Sequence, residues 1–264
     1  MKQSKIENYI SKINNEGSKV LSVFLTCGFP SPDGFEDLAL SILDSGADML
    51  ELGIPFSDPI ADGNVIQYSS QKALDNGITL EKALVGAQEI KSKTSKPIIL
   101  MGYANPFLKY GLKKLSKSIN DIGVEGIIVP DIPIEEYDDF FSNDFSDIDT
   151  ILLVSPTSTK ERVIKIGEKS SGFVYCVSVK GITGKQNSFQ QDSIEYVSTT
   201  KTTLSNKKVL VGFGISNADT AKSFSSVSDG VIIGSAVINL LKNSNGTYKE
   251  VFDFISNIKK SISQ

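Results

Sequence analysis

The sequence predicts a closed eight-stranded α/β barrel. Three observations lead there: eight short apolar runs recur along 264 residues, segments of helical period separate them, and no Pro/Gly/Ser-rich linker divides the chain. An open doubly wound sheet is the alternative reading of the same alternation. A hydrophobic content of 40% and a mean hydropathy of −0.04 are enough for the core of one barrel-sized domain, residues 1–264.

Taken in order, residues 1–12 alternate charged and apolar side chains, which fits an N-terminal helix and neither a secretory signal nor a membrane anchor. The apolar runs near 20–26, 48–53, 97–102, 126–130, 150–154, 173–178, 208–212 and 230–233 read as buried parallel strands. Between the first two, Phe35, Leu38, Ala39, Ile42 and Leu43 form an amphipathic helical face, ended by Gly46 as a left-handed cap. The interval between the second and third strands is the longest. It has room for a functional loop and an extra short helix at 61–76, before the helical face of Leu80, Ala83, Leu84, Ala87 and Ile90. Gly46-Ala47-Asp48, Gly123-Val124-Glu125 and Val227-Ser228-Asp229 echo one another where a helix exits into a strand. The acidic stretch 137–149 lacks the glycine and terminal glutamate of a calcium loop and reads as a solvated helix end and turn.

Composition excludes several classes of function. A net charge of −4 with mixed surface charge argues against nucleic-acid or membrane-surface partners, and the Lys clusters at 91–96 and 113–117 are solvated helix faces. The longest apolar region, Val231 to Leu241, is well short of the roughly 20 residues of a membrane helix, so a cytoplasmic protein is expected, or a stromal one if a plastid encodes it. Cys27 and Cys176, far apart in sequence, read as reduced core or rim residues rather than a disulfide. The absence of histidine excludes Ser-His-Asp and Cys-His machinery and the usual zinc sites, and no metal site is expected. Proton transfer then falls to Asp, Glu, Lys, Tyr or Cys.

The segment Leu50 to Gly63 is the most informative, because Glu51 interrupts an apolar strand and Asp62 lies on the loop that follows. A buried, unpaired carboxyl has a raised pKa, which suits it to proton transfer near neutral pH. Strand parity allows Ser22, Phe24 and Thr26 of the first strand and Met49, Glu51 and Gly53 of the second to share the interior face, so Glu51 is expected inside the barrel near its C-terminal rim. The core alternative is a Glu satisfied by a neighbouring Lys or Tyr; for Asp62 it is a helix cap. Glycine-bearing turns follow the last three strands: Gly181 to Gly184, Gly212 to Ser216, and Gly234-Ser235-Ala236 opening a helix. Their position suits a phosphate held by backbone N–H groups and a helix N-terminus. Phe24, Tyr103, Tyr175 and Phe213 near the same mouth suggest that the ligand also carries a flat apolar part.

These blocks, above all Leu50 to Gln67 with Pro-Phe-Ser-Asp-Pro and Ala-Asp-Gly, resemble the tryptophan synthase alpha subunit family over nearly the whole chain. Phe24 to Gly28, Met101 to Pro106, Asp131 to Glu136 and the three glycine turns agree in order and spacing. The resemblance implies a TIM barrel and the reversible retro-aldol cleavage of indole-3-glycerol phosphate to indole and glyceraldehyde 3-phosphate. It implies that Glu51 exchanges protons with the glycerol hydroxyl and indole C3, and that Asp62 accepts a hydrogen bond from the indole N–H. Phe24, Tyr103 and Tyr175 would line the indole side, and Gly184, Phe213, Gly214, Gly234 and Ser235 the phosphate side. Thr183 would be a lid residue, with loops 54–64 and 179–190 ordering on binding.

The same resemblance implies a beta-subunit partner in an alpha2-beta2 tetramer, met by Asp58, Pro59, Asn105 and Pro133. Pyridoxal phosphate is expected in that partner and no cofactor in this chain. The sequence departs from the family pattern at Phe29 and at Asn64, where proline is usual, which leaves the stiffness of the first loop open. A Schiff-base aldolase would have to use Lys180. A stand-alone indole-producing lyase and a non-catalytic barrel that activates a partner are the remaining alternatives.

Overall fold

The computed structural model describes residues 4–141, 143–178 and 186–263. The chain opens with α1 (Lys5–Asn15), then β1 (Val20–Thr26), α2 (Phe35–Asp44) and β2 (Met49–Gly53). Two helices, α3 (Asn64–Asp75) and α4 (Leu80–Lys93), precede β3 (Ile98–Met101), and two more, α5 (Ala104–Tyr110) and α6 (Leu112–Ile122), precede β4 (Gly126–Ile128). After α7 (Tyr137–Phe140) come β5 (Asp149–Val154), α8 (Lys160–Lys169), β6 (Val174–Val177) and α9 (Gln186–Thr203). The chain ends with β7 (Val209–Gly212), α10 (Ala218–Ser225), β8 (Gly230–Ile233), α11 (Ser235–Asn243) and α12 (Lys249–Ile262).

The eight strands pair in sequence order, all parallel, and β1 closes on β8. Closure makes parity decisive, because alternate residues of every strand face the interior. Two apolar clusters result. Leu21, Val23, Leu50, Leu52, Val209 and Val211 belong to the larger one, between barrel and helices, together with Leu38 and Ile42 of α2 and Ala87 and Ile90 of α4. Met49, Ile99, Ile128, Ile151, Leu210 and Ile232 fill the barrel itself, joined by Ile6, Ile10 and Ile13 of α1. Helix α1 therefore stoppers the N-terminal end. Gly126 makes room for it, since a Cβ there would lie 2.7 Å from Cδ1 of Ile6.

The echoed turns at the N-terminal end share one device. Asp48 Oδ2 accepts the Leu21 N–H at 2.7 Å and pairs with Lys259 at 2.7 Å. Asp229 Oδ2 accepts the Val209 N–H at 2.8 Å and pairs with Lys201 at 2.6 Å. Glu125 accepts the Ile98 N–H at 2.9 Å and pairs with Lys91. Each carboxylate ties the start of one strand to its neighbour while a lysine offsets its charge, which is what makes a nearly buried acid tolerable.

In the acidic stretch, α7 is a single turn with Phe140, Phe141 and Phe145 buried beneath it, while Asp138 pairs with Lys169 and Asp149 accepts the Ser4 hydroxyl at 2.6 Å. Among the described residues no group of three or more His, Cys, Asp and Glu side chains is placed to hold a metal. Cys27 and Cys176 are buried free thiols. No helix among the described residues is long and apolar enough to cross a membrane.

Candidate active site

The C-terminal end of the barrel opens into a cavity of about 130 Å³ whose walls include Phe24, Asp62, Met101, Tyr175, Phe213 and Ser235. Glycines shape it. A Cβ at Gly53 would stand 2.4 Å from the Phe24 ring, and one at Gly212 would stand 2.1 Å from the Tyr175 hydroxyl, so both rings lie where only glycine backbone permits. Tyr175 and Phe213 meet edge to face at 6.3 Å between centroids. Phe213 has φ of 71°, unusual for a residue with a side chain. The Ser178 hydroxyl, shared between the carbonyl oxygens of Phe213 at 2.6 Å and Gly212 at 3.1 Å, pins that turn.

Glu51 lies on the interior face of β2, wholly buried, with Phe24 as its register partner on β1. Its Oε1 accepts the Ser22 hydroxyl at 2.8 Å, and its Oε2 has no hydrogen-bond partner among the described residues. Among the described residues neither a lysine nor a tyrosine bonds it. Burial pushes the carboxyl up to about 7, opposed by the Ser22 hydrogen bond. Glu51 does not itself line the cavity, whose floor comprises Phe24, Met101 and Tyr175 above it.

Asp62 does line the cavity, and burial pushes its carboxyl up to about 6 against a hydrogen bond from Tyr103. The cap reading of Asp62 is not met: α3 starts three residues later than expected, with Gly63 as its N-cap and no side-chain cap bond. Its carboxyl meets Tyr103 at the cavity wall rather than the first turn of the helix. The missing proline at Asn64 is compensated by other fastenings. Ser70 brackets Phe56, accepting its N–H at 2.8 Å and donating to its carbonyl at 3.0 Å, and the Ala61 N–H donates to the Tyr103 hydroxyl at 3.1 Å. Gln67 adds a bond to the Asp62 carbonyl at 2.9 Å, and the Phe56 and Tyr103 rings stack at 5.4 Å.

Gly214, Gly234 and Ser235 stand on one side of the cavity, where α11 begins without a side-chain cap. Helix α10 beside it is closed by a capping box between Asn217 and Thr220. Of the two helix starts after the last strands, only α11 leaves its first N–H groups open to an anion.

A family model described as tryptophan synthase alpha chain matches residues 10–263. The tryptophan synthase alpha chain of Thermoanaerobacter sp. (strain X514) is 39% identical over 261 residues, covering 97% of this chain and 99% of the relative. That of Clostridium kluyveri is 38% identical over 264 residues, with 98% and 99% covered. The chain belongs to the tryptophan synthase alpha chain family. Among solved structures, tryptophan synthase from M. tuberculosis in its aminoacrylate-bound form superposes with a TM-score of 0.87 at 27% identity, covering 98% of this chain and 99% of that one. The alpha chain from Legionella pneumophila subsp. pneumophila gives 0.87 at 30% identity, covering 99% and 98%. The activity of this chain is the family's alpha reaction in tryptophan biosynthesis, a carbon–carbon lyase reaction on indole-3-glycerol phosphate.

Asp58 and Pro133, exposed, and Pro59, half-buried, stand on the loops after β2 and β4, and exposed Asn105 stands in the first turn of α5 after β3, all at the same end as the cavity. Ile60 and Leu108, large apolar side chains that are 82% and 56% exposed, stand on the same segments. Thr183, Gly184, Lys180 and Gly181 lie outside the described residues. Sequence reasoning gave no role to Ser22, Ile66, Met101, Ile215 or Ile232, although interior parity was a usable signal for Ser22, Met101 and Ile232.

Proposed function

We propose that Glu51 and Asp62 carry the retro-aldol cleavage of indole-3-glycerol phosphate, with Glu51 as the proton-exchanging acid and Asp62 as acceptor of the indole N–H. The supporting observation is a pair of carboxyls raised by burial to about 7 and about 6, with no cation beside either among the described residues: Asp62 on the wall of a cavity that also holds an uncapped helix start, and Glu51 buried in the barrel next to Phe24 of that wall. Protonation of indole C3 makes the ring an electron sink. As the bond from C3 to the glycerol carbon breaks, its electron pair returns to the ring, the glycerol hydroxyl gives up its proton, and the Asp62 carboxylate offsets the positive charge at the indole nitrogen.

The rings of Phe24 and Tyr175 would hold the indole, with Tyr103 steadying Asp62. The N–H groups opening α11 and the turn at Gly214 would take the phosphate, with Phe213, Gly234 and Ser235 beside it. Thr183 and Gly184 complete this reading as lid and phosphate residues. One barrel serves as the whole catalytic domain, in the cytoplasm.

The rim of Asp58, Pro59, Asn105 and Pro133 is assigned to a tryptophan synthase beta subunit in an alpha2-beta2 assembly, with pyridoxal phosphate in the partner alone. The apolar exposure of Ile60 and Leu108 on that rim supports the assignment. Indole release from indole-3-glycerol phosphate tests the catalytic reading. Glu51→Gln and Asp62→Asn are each expected to lower kcat about 10²- to 10⁴-fold, and turnover equal to the parent in either variant removes that residue from the mechanism.

A further inference from the structure

Ser22 places a hydroxyl where its register partners are hydrocarbon, Met49 on β2 and Ile232 on β8. It is wholly buried, so the hydroxyl needs a polar partner, and Glu51 provides one through Oε1 at 2.8 Å. The depth of that bond matters. Glu51 stands opposite Phe24, whereas Ser22 lies two residues further from the C-terminal mouth on β1. The carboxyl is thus folded back toward the middle of the barrel. This accounts for its absence from the cavity wall, where Phe24, Met101 and Tyr175 intervene.

We propose that Ser22 is a positioning residue that stows the Glu51 carboxyl below the cavity, so that the acid meets substrate only when this bond is given up. The inference rests on the catalytic role proposed for Glu51. Stowing leaves Oε2 buried without a partner, a costly state for a carboxyl and one that a substrate hydroxyl relieves. A ligand that bonds the raised carboxyl better than the stowed one shifts the population toward the productive arrangement, and its apparent affinity is reduced by whatever the Ser22 bond contributes. The other titratable groups coupled to this space are Tyr175 from β6 and Asp62 from the loop after β2, and neither brings a positive charge that could hold the carboxylate instead.

Kinetics of indole release by the parent, Ser22→Ala, Ser22→Thr and Glu51→Gln test this. Ser22→Ala is expected to raise kcat/KM roughly three- to tenfold, while Ser22→Thr, which keeps the hydroxyl, stays near the parent. The pH at which the Glu51 limb of kcat/KM turns is expected to move up in Ser22→Ala, because the lost bond favours the carboxylate. Ligand-free crystals of Ser22→Ala are expected to show the Glu51 carboxyl on the cavity wall. Unchanged kcat/KM in Ser22→Ala overturns the stowing role, and so does a fall that Ser22→Thr restores, since the hydroxyl would then support the productive position. An inactive Glu51→Gln beside an unaltered Ser22→Ala rejects stowing alone, whereas an active Glu51→Gln removes the catalytic reading and stowing with it.

Discussion

The two ends of the barrel treat acidic side chains in opposite ways. At the N-terminal end Asp48, Glu125 and Asp229 each receive a backbone N–H and a lysine, and the result is a set of fixed ties between neighbouring strands. At the C-terminal end Glu51 and Asp62 receive, among the described residues, a hydroxyl each, from Ser22 and Tyr103, and burial raises their proton affinity. Residue type is shared and burial is comparable. What differs is the company: a cation locks the charge in place, and its absence leaves a proton free to come and go.

The largest effect that bears on this contrast is expected at the tied end. Asp229→Ala leaves the Val209 N–H without its acceptor and Lys201 without its partner, so urea denaturation should show a loss of about 2–4 kcal/mol. The kcat for indole release should be little changed, and a collapse of kcat at full stability would erase the division between the two ends.

A smaller effect is expected in the pH dependence of stability. Burial raises the Glu51 carboxyl to about 7 in the folded state from the 4.5 of an unperturbed glutamate, so the native state binds more protons than the unfolded chain within that interval. Stability contributed by the protonated form is complete below the unfolded pKa and is lost as pH rises toward 7. Glu51→Gln abolishes this loss, so the variant should gain on the order of 2 kcal/mol relative to the parent between pH 4.5 and pH 8. Parallel stability curves for the two proteins would place Glu51 among the neutralised acids.

The smallest effect belongs to Tyr103→Phe. Loss of its hydroxyl removes the bond that favours ionised Asp62 and the acceptor for the Ala61 N–H. The Asp62 limb of the pH–rate profile should move upward and kcat should fall roughly three- to tenfold. An unmoved limb would mean that the tyrosine packs but does not tune.

Closure of the barrel was legible because the apolar runs alternate with helical faces such as Phe35 to Leu43, and the strands lie where those runs do, apart from an end residue or two. The interior location of Glu51 was legible from parity, since closed sheets leave each strand residue only two directions. The lysine partners of Asp48, Glu125 and Asp229 were not, because Lys259 and Asp48 are joined only when the last helix returns beside the first strands. The start of α3 was misjudged for a local reason: Asp62 has the chemistry of an N-cap, but the bond to Tyr103 holds its carboxyl elsewhere. Ser22 escaped notice as a functional group because a lone serine in a strand carries no signal until its neighbour across the register is known.

Helix α1, wedged under the barrel by Ile6, Ile10 and Ile13, closes the far exit. Among the described residues the cavity therefore opens at the opposite end alone, where an apolar product such as indole departs past the threshold by which its precursor came in.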